Sequence, residues 1–199
     1  MTARDPNIES DVRAIVQRIV EGLLGDEPGA TGDDGSAPDA GPSEGSEAGI
    51  TIAVGADHGG FAMKERIAFR LKEQGHVVID CGTDSNASVD YPDFAVAVAR
   101  KVASGEATVG IMVDGAGIGS SMVGNKVAGV RAALCYDVST ARNAREHNHA
   151  NMLTLGAGLI GDGLAWQITQ EFIGTPYGPG RHARRVDMID ALDAAGVAE

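Results

Sequence analysis

Five short apolar runs, separated by helix-compatible stretches, recur from Ile50 onward, and this alternation constrains the fold more than any other feature of the chain. The runs stand at 50–55, 77–80, 109–113, 130–135 and 152–155, and the intervening segments at 60–74, 92–104, 118–127, 137–147 and 162–173, with a last one at 181–194. Strands that alternate with helices predict a parallel sheet covered on both faces. Right-handed crossovers then give a doubly wound α/β domain, a five-stranded parallel sheet in three α/β/α layers. In such sheets the ligand crevice lies beyond the carboxyl ends of the strands, so chemistry-bearing residues are expected directly after them.

The first 49 residues follow a different pattern. Over 5–24, Ile8, Val12, Ile15, Val16, Ile19, Val20, Leu23 and Leu24 recur at three- and four-residue steps, with Pro6 suited to a first helical position and Gly25 to a stop. Residues 1–24 are therefore read as a segment carrying an amphipathic helix over 5–24. Residues 25–49 hold seven Asp and Glu, no Lys or Arg and no branched aliphatic or aromatic side chain. Such a segment cannot bury enough apolar surface to offset its ordering entropy, so a disordered acidic linker is expected there, with one domain at 50–199.

The formal net charge of −12 argues against nucleic acid and against an anionic membrane surface, both of which need a basic face. No run of 18 apolar residues and no uninterrupted signal-type core occurs, so a cytoplasmic protein is expected. Cys81 and Cys135 each end an apolar run and lie in no C-x-x-C or zinc-ligand spacing, which reads as two small buried hydrophobes. No metal site is expected from these spacings.

The residues after the strands carry the chemistry. Asp57-His58-Gly59-Gly60-Phe61 follows the first run, and Asp114-Gly115-Ala116-Gly117-Ile118-Gly119-Ser120 the third. Alternate glycines at a strand-to-helix turn let backbone N–H groups approach an anion, although they serve tight turns equally well. The spacing is not the G-x-G-x-x-G of dinucleotide sites. Glu146-His147-Asn148-His149 precedes the fifth run, with too few clustered ligands for a metal. Near the C-terminus Arg181 and Arg185 stand four apart, so they share a helix face and can converge on one dianion.

In this order the motifs resemble the type B ribose-5-phosphate isomerase and galactose-6-phosphate isomerase family. The likeness covers roughly 50–195 and rests on Ala-Asp-His-Gly-Gly-Phe at 56–61, Asp-Tyr-Pro at 90–92, the glycine turn at 115–119, Asn-Lys at 125–126, His-Asn at 147–148 and Gly-Arg-His-x-x-Arg at 180–185. The resemblance implies a Rossmann-like homodimer or dimer of dimers with shared active sites and no metal or organic cofactor, acting on a phosphorylated sugar. It implies that His147 opens the cyclic sugar with Asn148 beside it, and that Asp57, His58 and Tyr91 line the pocket. Arg181 and Arg185 of a neighbouring subunit would hold the phosphate. The backbone of Gly115, Gly117, Gly119 and Ser120 would stabilise an enediolate.

One pocket departs from the family pattern. Asp114 stands where many members carry a Cys that moves the proton, Ser120 where another branch carries a Glu, Ala116 where Thr or Ser is frequent, and Gly158 where an Arg adds to phosphate binding. Two readings compete. Asp114 is itself the base in a ribose 5-phosphate isomerase, or the chain is an A-type half-site subunit completed by a Cys-bearing paralogue. A catalytically impaired sugar-phosphate-binding protein is the non-enzyme alternative. The helix and linker of the N-terminus resemble encapsulation peptides, which implies a shell-protein partner for residues 5–24 and a place inside a bacterial microcompartment.

Overall fold

The computed structural model describes residues 49–195, all within the unit that spans Ser46–Glu199. The expected helix at 5–24 and nearly all of the linker lie outside the described residues. Five strands form one sheet: β1 (Thr51–Ala56), β2 (Val77–Asp80), β3 (Val109–Asp114), β4 (Ala132–Leu134) and β5 (Met152–Gly156). Every pairing is parallel and the order is β2-β1-β3-β5-β4, as the alternation predicts. The order reverses between β1 and β3, where the chain leaves β1 for β2 on one side and returns to β3 on the other.

The helices are α1 (Phe61–Glu73), α2 (Tyr91–Ala103), α3 (Ile118–Gly124), α4 (Val138–Asn148), α5 (Asp162–Gly174) and α6 (Ala183–Ala195), the last entered through a 3-10 turn at Gly180–His182. Alternation along each strand divides the core in two. Ile52, Val54, Ile111, Val113, Leu153 and Leu155 meet apolar stripes of α1, α4 and α5 on one face. Ala53, Met112 and Met152 meet α2 on the other. On that second face α2 comes close enough to require glycine at two positions: a Cβ on Gly110 would stand 2.6 Å from Val98 Cγ1, and one on Gly55 2.7 Å from Val98 Cγ2.

Local chemistry fixes the boundaries. α4 begins with a reciprocal capping box, in which the Thr140 N–H donates to Asp137 Oδ1 at 2.8 Å and the Asp137 N–H to Thr140 Oγ1 at 3.4 Å. α3 ends at Gly124, shorter than the 118–127 expected. The Asn125 side chain turns away to the backbone of Ala132, accepting from its N–H and donating to its carbonyl, both at 2.9 Å. Among the described residues no helix is long and apolar enough to cross a membrane.

Candidate active site

Asp57 and Asp114 leave the carboxyl ends of the two central strands side by side, since Ala56 is in register with Val113. Both side chains are buried. The Asp57 carboxylate caps the entry to α1, with Oδ1 accepting the Gly60 N–H at 2.9 Å. His58 is exposed, and its Nδ1 accepts the Val89 N–H at 3.3 Å, which leaves Nε2 as the donor of the neutral ring. A Cβ on Gly59 would lie 3.4 Å from Asp57 Oδ1 and 3.8 Å from Gly115 N, so this glycine keeps clear the gap between the two turns. Tyr91, the first residue of α2, lays its phenol against the third glycine: a Cβ on Gly119 would stand 2.5 Å from its hydroxyl.

The glycine turn does bind an anion, and the anion is the chain's own. Oδ1 of Asp114 accepts the N–H groups of Ala116, at 2.8 Å, and Gly117. Oδ2 accepts the Ser120 N–H at 3.3 Å and the Ser120 hydroxyl. A carboxylate offers about four lone-pair positions, and all are engaged. The expectation that the whole 115–120 backbone faces a substrate is corrected accordingly, because three of its N–H groups point inward. Those of Gly115, Ile118 and Gly119 have no acceptor among the described residues. Gly117 needs its left-handed φ of 77° to make the turn, and a Cβ there would meet Leu134 Cδ1 at 2.5 Å.

Two supports of this turn have no sequence motif of their own. The Tyr136 hydroxyl donates to the Ala116 carbonyl at 2.8 Å, and the buried Thr154 hydroxyl to that of Gly117 at 2.9 Å. Both read in sequence as ordinary strand-end residues.

His147, Asn148, Arg181 and Arg185 lie on the opposite edge of the sheet. α4 runs antiparallel to the strands, so its last residues approach the amino ends. Just beyond them the Asn151 carbonyl accepts the N–H of Gly110 at 2.9 Å, and the Asn151 N–H donates to the Arg131 carbonyl at 3.1 Å. A strand of six residues spans roughly 20 Å, so one copy of the chain does not bring the two groups together. Here His147 stacks on His182 with ring centroids 4.2 Å apart, and His149 on Tyr177 at 4.3 Å. Arg181 and Arg185 are exposed, and neither pairs with an acid among the described residues.

This edge carries a positive field. Burial, then the guanidiniums of Arg131 and Arg145, push His149 below the usual histidine range. Burial, then His147 and the two free arginines, do the same to His182. A cationic edge on so acidic a chain is suited to a phosphate. Burial raises the Cys81 thiol, and pushes Cys135 up to about 11. Among the described residues no cluster of His, Cys, Asp and Glu could hold a metal.

A family model described as Ribose/Galactose Isomerase matches residues 52–189. A ribose-5-phosphate isomerase B of Escherichia coli (strain K12) is 43% identical over 142 residues, covering 71% of this chain and 95% of that protein. The solved structure of Clostridium thermocellum ribose-5-phosphate isomerase B superposes with a TM-score of 0.73 at 46% identity, over 74% of this chain and 99% of that one. The same enzyme of Mycoplasma genitalium, solved with bound ribulose-5-phosphate, gives a TM-score of 0.70 at 38% identity, over 72% and 96%.

Proposed function

Because the chain belongs to the ribose/galactose isomerase family, we propose that it interconverts the aldose and ketose forms of a phosphorylated sugar, ribose 5-phosphate and ribulose 5-phosphate, in pockets shared between copies. The observation that carries this reading is the crevice where the strand order reverses. Asp57, His58, Tyr91 and the 114–120 turn converge there on the ends of β1 and β3. The opposite edge of a second copy supplies what that crevice lacks: His147 and Asn148 for opening the ring, Arg181 and Arg185 for the phosphate. A dimer, or a dimer of dimers, follows from this division.

The reaction moves a proton between C1 and C2 through an enediolate. The N–H groups of Gly115, Ile118 and Gly119, unclaimed by Asp114, are donors for the developing negative oxygen, and such a donor is worth about 3–4 kcal/mol at the transition state. His58 Nε2–H adds a side-chain donor beside them. For the proton itself, the positions where family branches carry Cys or Glu meet here in one locus, since Asp114 and Ser120 are hydrogen-bonded. Asp114 takes the proton once one of its four donors withdraws. The Ser120 hydroxyl is the one that can leave by a single rotation.

The same saturation of Asp114 favours a second reading. In a half-site subunit the carboxylate only shapes the turn, while His147, Arg181 and Arg185 serve a Cys-bearing paralogue. An isomerase assay of the purified full chain with ribose 5-phosphate, allose 6-phosphate and galactose 6-phosphate separates the two. Turnover by the chain alone supports the first. Tight binding without turnover, rescued by a Cys-bearing partner chain, supports the second.

The N-terminal segment extends the proposal. The apolar spacing over residues 5–24, followed in sequence by a long acidic stretch, suits a docking peptide for a microcompartment shell. Deleting residues 1–49 should leave catalysis intact and abolish co-sedimentation with shell proteins. Loss of assembly or solubility instead would assign the segment to the oligomer.

A further inference from the structure

Asn143 lies one helical turn before His147 on α4, and no motif claims it. Its amide nitrogen stands 2.8 Å from His147 Nδ1. What that contact means depends on which way the amide points, and the surrounding bonds decide it. The main-chain carbonyl of Asn143 can only accept, and it takes a hydrogen bond from Asn148 Nδ2 at 3.3 Å. This fixes the Asn148 amide. The same Nδ2 donates to Asn143 Oδ1, also at 3.3 Å. Asn143 must then present its own NH₂ to His147, since turning it over would set donor against donor.

We infer that the Asn148–Asn143–His147 relay is a positioning device that holds the neutral imidazole of His147 with Nδ1 unprotonated and its proton on Nε2. The inference rests on the isomerase reading for its catalytic consequence, but the tautomer itself does not. On the far side of the ring, Nε2 lies 3.7 Å from Glu146 Oε1, too far for a hydrogen bond, so its proton is uncommitted. His182, stacked on the ring, limits its rotation. Nε2–H is thus set to act as the acid in ring opening. The bond from C1 to the ring oxygen breaks, and its electron pair stays on that oxygen, which takes the Nε2 proton. As C1=O forms, the anomeric hydroxyl passes its proton through an intervening water back to Nε2, so the imidazole ends the step neutral and no separate imidazolate or hydronium is left. Asn143 touches no substrate in this scheme and acts only through His147.

The test reads the tautomer directly. Long-range ¹⁵N–¹H correlation on ¹⁵N-histidine-labelled full-length protein, at a pH where the ring is neutral, resolves the five histidines, with His147 assigned by its loss in His147→Gln. Wild type should show protonated Nε2 and a hydrogen-bonded, unprotonated Nδ1. Asn143→Asp presents an acceptor and should move the proton to Nδ1, and Asn143→Leu should leave a mixture. A wild-type ring protonated on Nδ1, or the Nε2 form persisting in Asn143→Asp, would overturn the inference. A kinetic arm tests the consequence. Ribulose 5-phosphate is acyclic, so washing solvent deuterium into its C1 bypasses ring opening, whereas net isomerisation of ribose 5-phosphate does not. In Asn143→Asp the ratio of isomerisation to wash-in should fall about tenfold or more. An unchanged ratio with a switched tautomer would remove the acid role. Wild-type protein lacking both activities would refute the isomerase reading while the spectra still judge the relay.

Discussion

Replacing Asp114 with Asn tests the most unusual feature of the site, an internal carboxylate that fills the glycine turn. The exchange keeps shape and volume and converts one oxygen into a donor. With its remaining oxygen toward Ala116 and Gly117, the amide keeps two bonds but loses their charge assistance, about 1 kcal/mol each. On the other side the Ser120 hydroxyl can turn and accept from the new NH₂, but the Ser120 N–H, buried with its residue, loses its acceptor at a further cost of about 1 kcal/mol or more. The sum is about 2–4 kcal/mol out of a total stability of about 5–15 kcal/mol, so the variant folds and the loss is measurable. For a slope of about 2 kcal/mol/M, the urea midpoint followed by circular dichroism should drop by about 1–2 M. A midpoint indistinguishable from wild type would refute the claim that this carboxylate holds the turn. Activity lost without any loss of stability would leave Asp114 a role in proton transfer alone.

Four further outcomes follow from the same geometry. Ser120→Ala removes the donor that must leave Asp114 Oδ2, so turnover should be retained or raised, and its abolition would exclude Asp114 as the base. Iodoacetamide should leave turnover unchanged, because Cys135 is held near 11 and Cys81 is also raised by burial; rapid inactivation traced to either thiol would contradict this. Removing Arg181 should raise KM for the phosphorylated substrate about 10- to 100-fold with little change in kcat, the signature of lost uniform binding. His149, held low by burial and two guanidiniums, refuses a proton that the unfolded chain accepts below about pH 6.5. Stability should therefore decline as pH falls through that value and level off below the folded-state pKa. His149→Asn, which tolerates the local φ of 51°, should reduce the decline, His182 supplying a remainder; an unchanged slope in urea midpoint against pH would count against this account.

The doubly wound sheet was legible in the sequence because apolar runs and helical stripes repeat at periods that local sterics impose. β2 matches its expected bounds and β1 differs by one residue at each end. β4 came out shorter than its apolar run because only Ala132–Leu134 pair with β5 at the edge of the sheet, and pairing partners are not announced by any local pattern. The place of Asp57, His58 and the glycine turn directly after strands was legible from the alternation. The inward donation of that turn was not, because alternate glycines look the same whether their N–H groups face a ligand or the preceding side chain. Asn143 was within reach, since i and i+4 neighbours share a helix face. Tyr136, two residues past β4, and Thr154, within β5, support the turn from positions distant in sequence, and only the fold brings them to it.

Placing His147 and the arginines at one end of the sheet and the turn at the other has a further consequence in the proposed shared pocket. Each copy is then both host and donor, and damage to one role leaves the other untouched. Mixing a chain altered at Asp114 with one altered at His147 would assemble some pockets from two undamaged halves, so two inactive preparations should regain part of the wild-type rate on co-refolding. Duplicated genes could divide these duties, one copy keeping the turn and the other only the lent edge.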